Sequence, residues 1–265
     1  MDELELIRGL HGDPAPDPGL KARVRERLAA ERRRGRRRVF AWTLAAGAVA
    51  AVVLAVWMYR PVQLHHAAGT PAGRTILLAA ASSAGATSTR AGTRYWHLRE
   101  RQGARVTELW AATDGRAWRR AGDGGVTRVP GAPFSMAGRD LTYQDVQRLP
   151  AEPARLRAHV TGLLPPGAGP GVLADALGGL LMRKPSPPGV RAAAYQLLAD
   201  LPNVRYEGPR PTGRHPEAAA FSFALDDVKR TLVIDPVTSR VLSVTDGREP
   251  TVTIEAAYTD RGPTG

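Results

Sequence analysis

The sequence predicts an α+β fold, in which an antiparallel sheet is covered on one face by helices and follows a single transmembrane helix. Residues 39–59 carry no charged side chain. From Arg94 the chain shows short β runs separated by glycine turns, then helical segments after Pro150, and β runs again after Pro202. Strands, helices and strands in that order favour an antiparallel sheet with its helices on one face.

The uncharged segment 39–59 is long enough to cross a bilayer. As an α-helix its 21 residues extend about 31 Å, close to the hydrocarbon thickness of a membrane. Trp42 and Trp57 lie near its two ends, where aromatic belts form. A cleaved signal peptide needs a shorter apolar region and a small-residue cleavage site, and a buried core helix does not account for the preceding arginines. We therefore interpret the segment as a retained transmembrane helix.

Flanking arginines predict the orientation of this span. Arginine is concentrated before residue 39, whereas only Arg60 and then Arg74 follow closely. Because basic residues near a span stay in the cytoplasm, we predict a cell-membrane protein with a cytoplasmic amino terminus and an extracytoplasmic carboxyl-terminal domain. The residues predicted to fix the topology and to contact lipid headgroups are Arg32, Arg33, Arg34, Arg36, Arg37 and Arg38.

Charge and cysteine content restrict the chemistry on each side. The net charge of +12 divides into 11 basic and 7 acidic residues in 1–38, and 26 basic and 18 acidic residues in 60–265. The outer excess is spread along the chain, which favours a solvated basic face or attraction to anionic envelope material over a nucleic-acid groove, so no direct nucleic-acid partner is expected. The absence of cysteine excludes disulfides, thiolate metal sites and a cysteine nucleophile.

The segment 1–38 is predicted to be helical in part and disordered elsewhere. Two short apolar stripes at helical spacing are separated by a proline-rich break at 13–18. Such stripes without a core of their own indicate either docking of a cytoplasmic partner by helix-in-groove contact or a tail that lies on the headgroups. The residues of the predicted docking site are Leu4, Ile7, Leu10, Leu20, Val24 and Leu28.

The outer part divides into a stalk at 60–92, which includes a candidate first helix at 75–81, an α+β domain at 93–260 and a tail at 261–265. Period-two alternation and turn residues predict strands at 94–101, 105–112, 116–120, 126–129, 204–207, 218–225, 228–234, 241–245 and 251–258. Helical spacing and proline starts predict helices at 154–161, 172–182 and 190–201. Tyr95, Trp96, Trp110 and Trp118 are predicted to cover one face of the sheet.

No residue pattern in the chain predicts an active site. The histidines are not spaced as a metal-binding pair on a helix, and Ser82 lacks the context of a hydrolase nucleophile. Asp226 and Asp227 are adjacent, which favours a turn over paired acid and base catalysis. We therefore predict no catalytic residue, no bound metal and no cofactor, and an enzyme is a distant third hypothesis.

Several short motifs lie along the chain from its amino terminus to the last strands. They are Met1-Asp2-Glu3-Leu4, Arg94-Tyr95-Trp96, Leu149-Pro150-Ala151-Glu152-Pro153, Arg191 to Tyr195, Leu201-Pro202-Asn203-Val204 and Ile234-Asp235-Pro236-x-Thr238. Together they resemble those of single-pass membrane proteins of high-GC bacteria that are often encoded beside extracytoplasmic-function sigma factors. The resemblance extends over nearly the whole chain and implies no catalytic residues.

The outer domain resembles the lipoprotein-carrier half-barrel shared with periplasmic regulators of anti-sigma factors. That resemblance implies a curved antiparallel sheet that wraps helices and can bind an apolar ligand. Residues 1–38 lack the His and Cys ligand set of zinc-binding anti-sigma factors. Any sigma-factor binding would therefore be metal-free.

Two hypotheses of function follow. In the first, the protein is a non-catalytic transmembrane regulator, whose outer domain senses an envelope signal while the inner segment holds a sigma factor or similar cytoplasmic protein. In the second, it is an anchored carrier or binding module for a lipid or another apolar envelope ligand.

Overall fold

The computed structural model describes residues 70–87, 92–247 and 249–263. All of them belong to the second of two compact units, which comprises residues 63–265. The predicted cytoplasmic segment 1–38 and the predicted span 39–59 lie outside the described residues. Within the described ranges, no helix has the length and apolar character needed to cross a membrane.

The helices of the described residues begin with a proline in the first turn or follow a threonine that caps the helix amino terminus. Proline occupies the first turn of each of the four longer helices, where its missing N–H costs no hydrogen bond. The helices are α1 (Pro71–Ala86), α2 (Tyr143–Gln147), α3 (Pro153–Leu163), α4 (Pro170–Met182) and α5 (Pro188–Asp200).

The strands form one large antiparallel sheet and a small hairpin. The nine strands of the large sheet follow the order β4-β3-β2-β1-β11-β10-β9-β8-β7, and β5 pairs with β6 alone. The strands are β1 (Tyr95–Gln102), β2 (Arg105–Ala112), β3 (Ala117–Ala121), β4 (Thr127–Val129), β5 (Phe134–Met136), β6 (Arg139–Leu141), β7 (Arg205–Pro209), β8 (Ala219–Leu225), β9 (Val228–Asp235), β10 (Arg240–Asp246) and β11 (Val252–Thr259). Because β4 and β7 are end strands that do not pair with each other, the sheet is open.

This architecture confirms the predicted α+β class with an antiparallel sheet. The chain begins the sheet with the meander β1 to β4, leaves it for the helices, and returns with β7 to β11. Strand β11 then pairs with β1 over eight residues, from Tyr95 opposite Thr259 to Gln102 opposite Val252. That pairing joins the two halves of the sheet in the centre.

The core lies between the inner face of the sheet and the helices. Leu177 and Leu180 of α4 and Tyr195 of α5 are fully buried, as is Ile234 of β9. Helix α1 packs along α5 and reaches the β7 edge, where a Cβ at Gly73 would lie only 2.6 Å from the Cβ of Tyr206. Glycine at this position therefore permits α1 to lie close against the sheet.

The meander aromatics lie on both faces of the sheet, so their prediction as a cover for one face is wrong. Successive side chains of a strand point to opposite sides. Trp96 faces the core, where its ring meets that of Tyr258 at 5.1 Å. Tyr95 contacts Trp118 at 6.1 Å on the opposite, helix-free face, which we call the outer face.

Candidate functional site

None of the predicted site residues falls in the described part of the chain. The six arginines at 32–38 and the six apolar residues at 4–28 all lie outside it, so the docking and topology predictions stay predictions. The described residues instead contain polar clusters that join distant elements. These clusters were not predicted as sites from the sequence.

Arg191 of α5 is a partly buried cation that donates to backbone carbonyls of two other elements. Its Nη1 donates to the carbonyl oxygen of Leu181 at 2.6 Å, and its Nη2 donates to that of Ser239. The hydroxyl of Tyr195 donates to the same Ser239 carbonyl at 2.9 Å. Burial lowers the pKa of Arg191 and raises that of Tyr195 to about 12. The cluster fixes the start of α5 against the end of α4 and the β9–β10 turn.

We expect replacement of Tyr195 by Phe to lower the free energy of unfolding by about 1 kcal/mol, the usual net value of one buried hydrogen bond. The Ser239 carbonyl keeps the Arg191 donor, so the loss stays modest. Urea unfolding of the full chain in detergent, followed by near-ultraviolet circular dichroism, measures it. Tyr206→Phe is the matched control, because the Tyr206 hydroxyl forms no hydrogen bond with a described residue. Equal losses in the two variants would contradict the assignment.

A histidine and an aspartate meet at the β9–β10 turn. Nδ1 of His215 lies 2.7 Å from Oδ2 of Asp235, which also accepts from the Thr238 hydroxyl at 2.6 Å. The Val237 N–H donates to Oδ1 of Asp235. Burial would raise the pKa of Asp235, but the bonds from Thr238, His215 and Val237 outweigh it and lower that pKa. The bonds tie the loop that holds His215 to the turn, and no serine or cysteine nucleophile joins the pair among the described residues.

A row of charged side chains, Asp246, Arg230, Asp175 and Lys184, lies between α4 and strands β9 and β10, and we call it the charged row. Arg230 of β9 forms salt bridges with Asp175 of α4 and, at 2.6 Å, with Asp246 of β10. Lys184, in the loop after α4, is 4% exposed, and burial lowers its pKa to about 8, with nearby Arg183 acting in the same direction. The negative charge of Asp175 only partly offsets these effects.

The outer face of the meander carries rings covered by arginines. Trp110 is only 5% exposed although it lies outside the hydrophobic core. The His97 ring stacks on it at 4.7 Å, and the guanidinium of Arg120 lies 5.4 Å from its centroid. Glu108 binds both neighbours, at 3.1 Å to His97 and 2.8 Å to Nε of Arg120. Burial would raise the pKa of Glu108, but Arg120 and His97 hold it below its usual value.

The interior between sheet and helices is filled by side chains. Leu156, Val160, Leu177, Leu180 and Ile234 have no surface accessible to solvent. A ligand-sized cavity would leave its lining accessible. A void of about 10 Å³ between α1, α5 and the β7 edge has room for about one water molecule.

Fold and clusters together define an α+β domain with an open antiparallel sheet, a filled core and an arginine-rich outer face. No group of three or more metal-binding side chains converges in the described ranges. No family model, curated protein sequence or solved structure matches this chain.

Proposed function

We propose that this protein is a single-pass membrane regulator with an extracytoplasmic binding domain. The uncharged segment 39–59 and the arginines before it support the span and its orientation. In this proposal residues 1–38 hold a sigma factor in the cytoplasm, and the outer domain is a half-barrel whose curved sheet wraps the helices. The polar clusters of the described residues connect helices, strands and turns of the domain to one another. This structural role supports a binding function over catalysis.

The filled interior is the observation that favours a regulator over a carrier. A carrier of the half-barrel type holds its apolar ligand between the sheet and the helices. Here the inner face of the sheet meets helix side chains, and Leu177 and Ile234 are fully buried by protein atoms. Recognition is therefore assigned to the surface of the domain.

The test is binding of the full chain, in detergent, to the extracytoplasmic-function sigma factors of the same organism. We expect a complex that the combined variant Leu20→Asp, Val24→Asp and Leu28→Asp weakens at least about tenfold, because charge is unfavourable in an apolar groove. Isothermal titration calorimetry measures the affinities.

The matched control places three aspartates off the stripe, as Ala22→Asp, Ala29→Asp and Ala30→Asp. We expect this control to bind more tightly than the stripe variant. Failure of every sigma factor to bind would overturn the regulator proposal. Equal weakening by both variants would overturn the assigned docking stripe.

A further inference from the structure

The outer face of the meander presents aromatic rings and arginines together. Trp118 of β3 lies opposite Arg128 of β4 in the strand register, so both project from the same face. The Trp118 ring meets Tyr95 edge-on at 6.1 Å, and the Arg116 guanidinium lies 5.6 Å from its centroid. Both rings are half-buried, which leaves part of each available to a ligand. We call Tyr95, Arg116, Trp118 and Arg128 the arginine–aromatic face.

A groove continues this face past the end of β4. Its volume is about 470 Å³, within the range of small-molecule sites. Two of its lining side chains are Arg116 and Arg128, and the rest of the lining is small or apolar: Gly115, Val129, Pro130 and Gly131. A Cβ at Gly131 would meet nothing within 4 Å, so the backbone there is open to close approach, whereas the Gln144 side chain lies beside Gly115. The groove lining thus contributes two cations, and the carboxylate of the neighbouring Asp114 offsets part of their charge.

Positive charge on this face is only partly neutralised. Arg116 forms a salt bridge with Asp114 at 2.7 Å, whereas the exposed Arg128 forms none with a described residue. The face therefore has the charge to attract an anion.

Within the unit formed by residues 63–265, the arginine–aromatic face lies at the end of the sheet opposite α1. Helix α1, which Thr70 caps, lies against β7. Eight strand intervals of about 4.8 Å separate β4 from β7, roughly 38 Å along the sheet.

We propose that the arginine–aromatic face and its groove bind an anionic glycan. Aromatic faces stack on the apolar faces of sugar rings, and guanidinium groups pair with carboxylate or phosphate substituents. Arg128 and Arg116 would hold the acidic groups while Trp118 and Tyr95 contact the rings. The choice of a glycan over a nucleic acid rests on the extracytoplasmic location in the proposed function, whereas binding itself does not require a sigma factor.

The test is fluorescence-polarisation binding of a labelled oligogalacturonate to the full chain in zwitterionic nanodiscs. We expect saturable binding that neutral oligogalactose does not compete away. Arg128→Gln should weaken it about tenfold, a loss of about 1.4 kcal/mol, because the charge-assisted hydrogen bond to an acidic group is removed. Arg128 is exposed and forms no salt bridge with a described residue, so this variant keeps the fold. Trp118→Leu, checked for an unchanged melting temperature, should weaken binding several-fold through loss of the ring face.

The matched control is Arg205→Gln with Arg210→Gln, two exposed arginines near the β7 end. We expect it to bind as the wild type does. Absence of binding would overturn the proposal. Equal weakening by the control and by Arg128→Gln would also overturn it, because the protein would then attract the glycan by net charge alone. Tighter Arg128-dependent binding of single-stranded DNA or polyglutamate would also overturn the glycan assignment. Sigma-factor binding is measured separately, so either proposal can fail while the other holds.

Discussion

Replacement of Gly171 by Ala is expected to lower the free energy of unfolding by about 3 kcal/mol. Gly171 lies in the first turn of α4, where the helix meets the end of β8. A Cβ there would lie 1.8 Å from the carbonyl oxygen of Ala224 and 2.9 Å from its carbonyl carbon. Both are backbone atoms of a paired strand, so the helix must move away from the sheet. Against a typical domain stability of 5 to 15 kcal/mol, this loss is large.

Urea unfolding of the full chain in detergent, followed by near-ultraviolet circular dichroism, measures the effect. Gly162→Ala in α3 is the matched control, because an added Cβ meets nothing within 4 Å. That control gains helix propensity and is expected to be neutral or stabilising by up to about 1 kcal/mol. Unchanged stability of the Gly171 variant would show that α4 does not contact the β8 backbone as closely as described.

The strands were the most predictable part of the fold, because alternation and turn glycines are local signals. Strand β2 begins and ends at the predicted residues, and β1 is displaced by one residue. Gly103 and Gly115, at the β1–β2 and β2–β3 turns, have φ values of +59° and +91°. Such φ values favour glycine, so the turn residues mark the strand ends in the sequence.

Shorter elements were missed because local patterns need several residues to become visible. Strands β5 and β6 have three residues each, too few to show alternation. Helix α2 has only five residues, but Thr142 and Asp145 form a capping box at its start. That box, a threonine followed three residues later by an acid, is the signal that could have located it.

The clusters that tie the domain together could not be read from local patterns. Arg191 donates to a carbonyl 48 residues further along the chain, at Ser239. The stacking of His97 on Trp110 requires the register of β1 with β2, and Arg120 joins it only through β3. These contacts depend on strand pairing and helix packing, which sequence spacing leaves undetermined. The sequence composition does show that arginine is abundant, although it does not show which contacts the arginines form.

Replacement of Lys184 by Met is expected to stabilise the protein by about 3 kcal/mol at pH 7. Burial lowers the pKa of this side chain from 10.5 to about 8. The Lys184 amine therefore binds its proton more weakly in the folded state than in the unfolded chain. Each tenfold difference in proton affinity lowers the free energy of unfolding by about 1.4 kcal/mol. Below pH 8 the full cost opposes folding, and it disappears as the pH rises from 8 towards 10.5. Methionine fills a similar volume without charge.

The pH dependence distinguishes this cause from a simple packing effect. The stability difference between Lys184→Met and wild type should be largest near pH 7 and shrink through the window from pH 8 to 10.5. Urea unfolding at a series of pH values measures it. Lys229→Met is the matched control, because the Lys229 side chain is 58% exposed and bonds Glu207 at the surface. A constant gain across that window would indicate a packing effect and contradict the charge explanation, whereas a loss of stability at pH 7 would mean that the Lys184 ammonium is stabilised by its surroundings. The charged row beneath α4 would then help to hold the domain together at neutral pH.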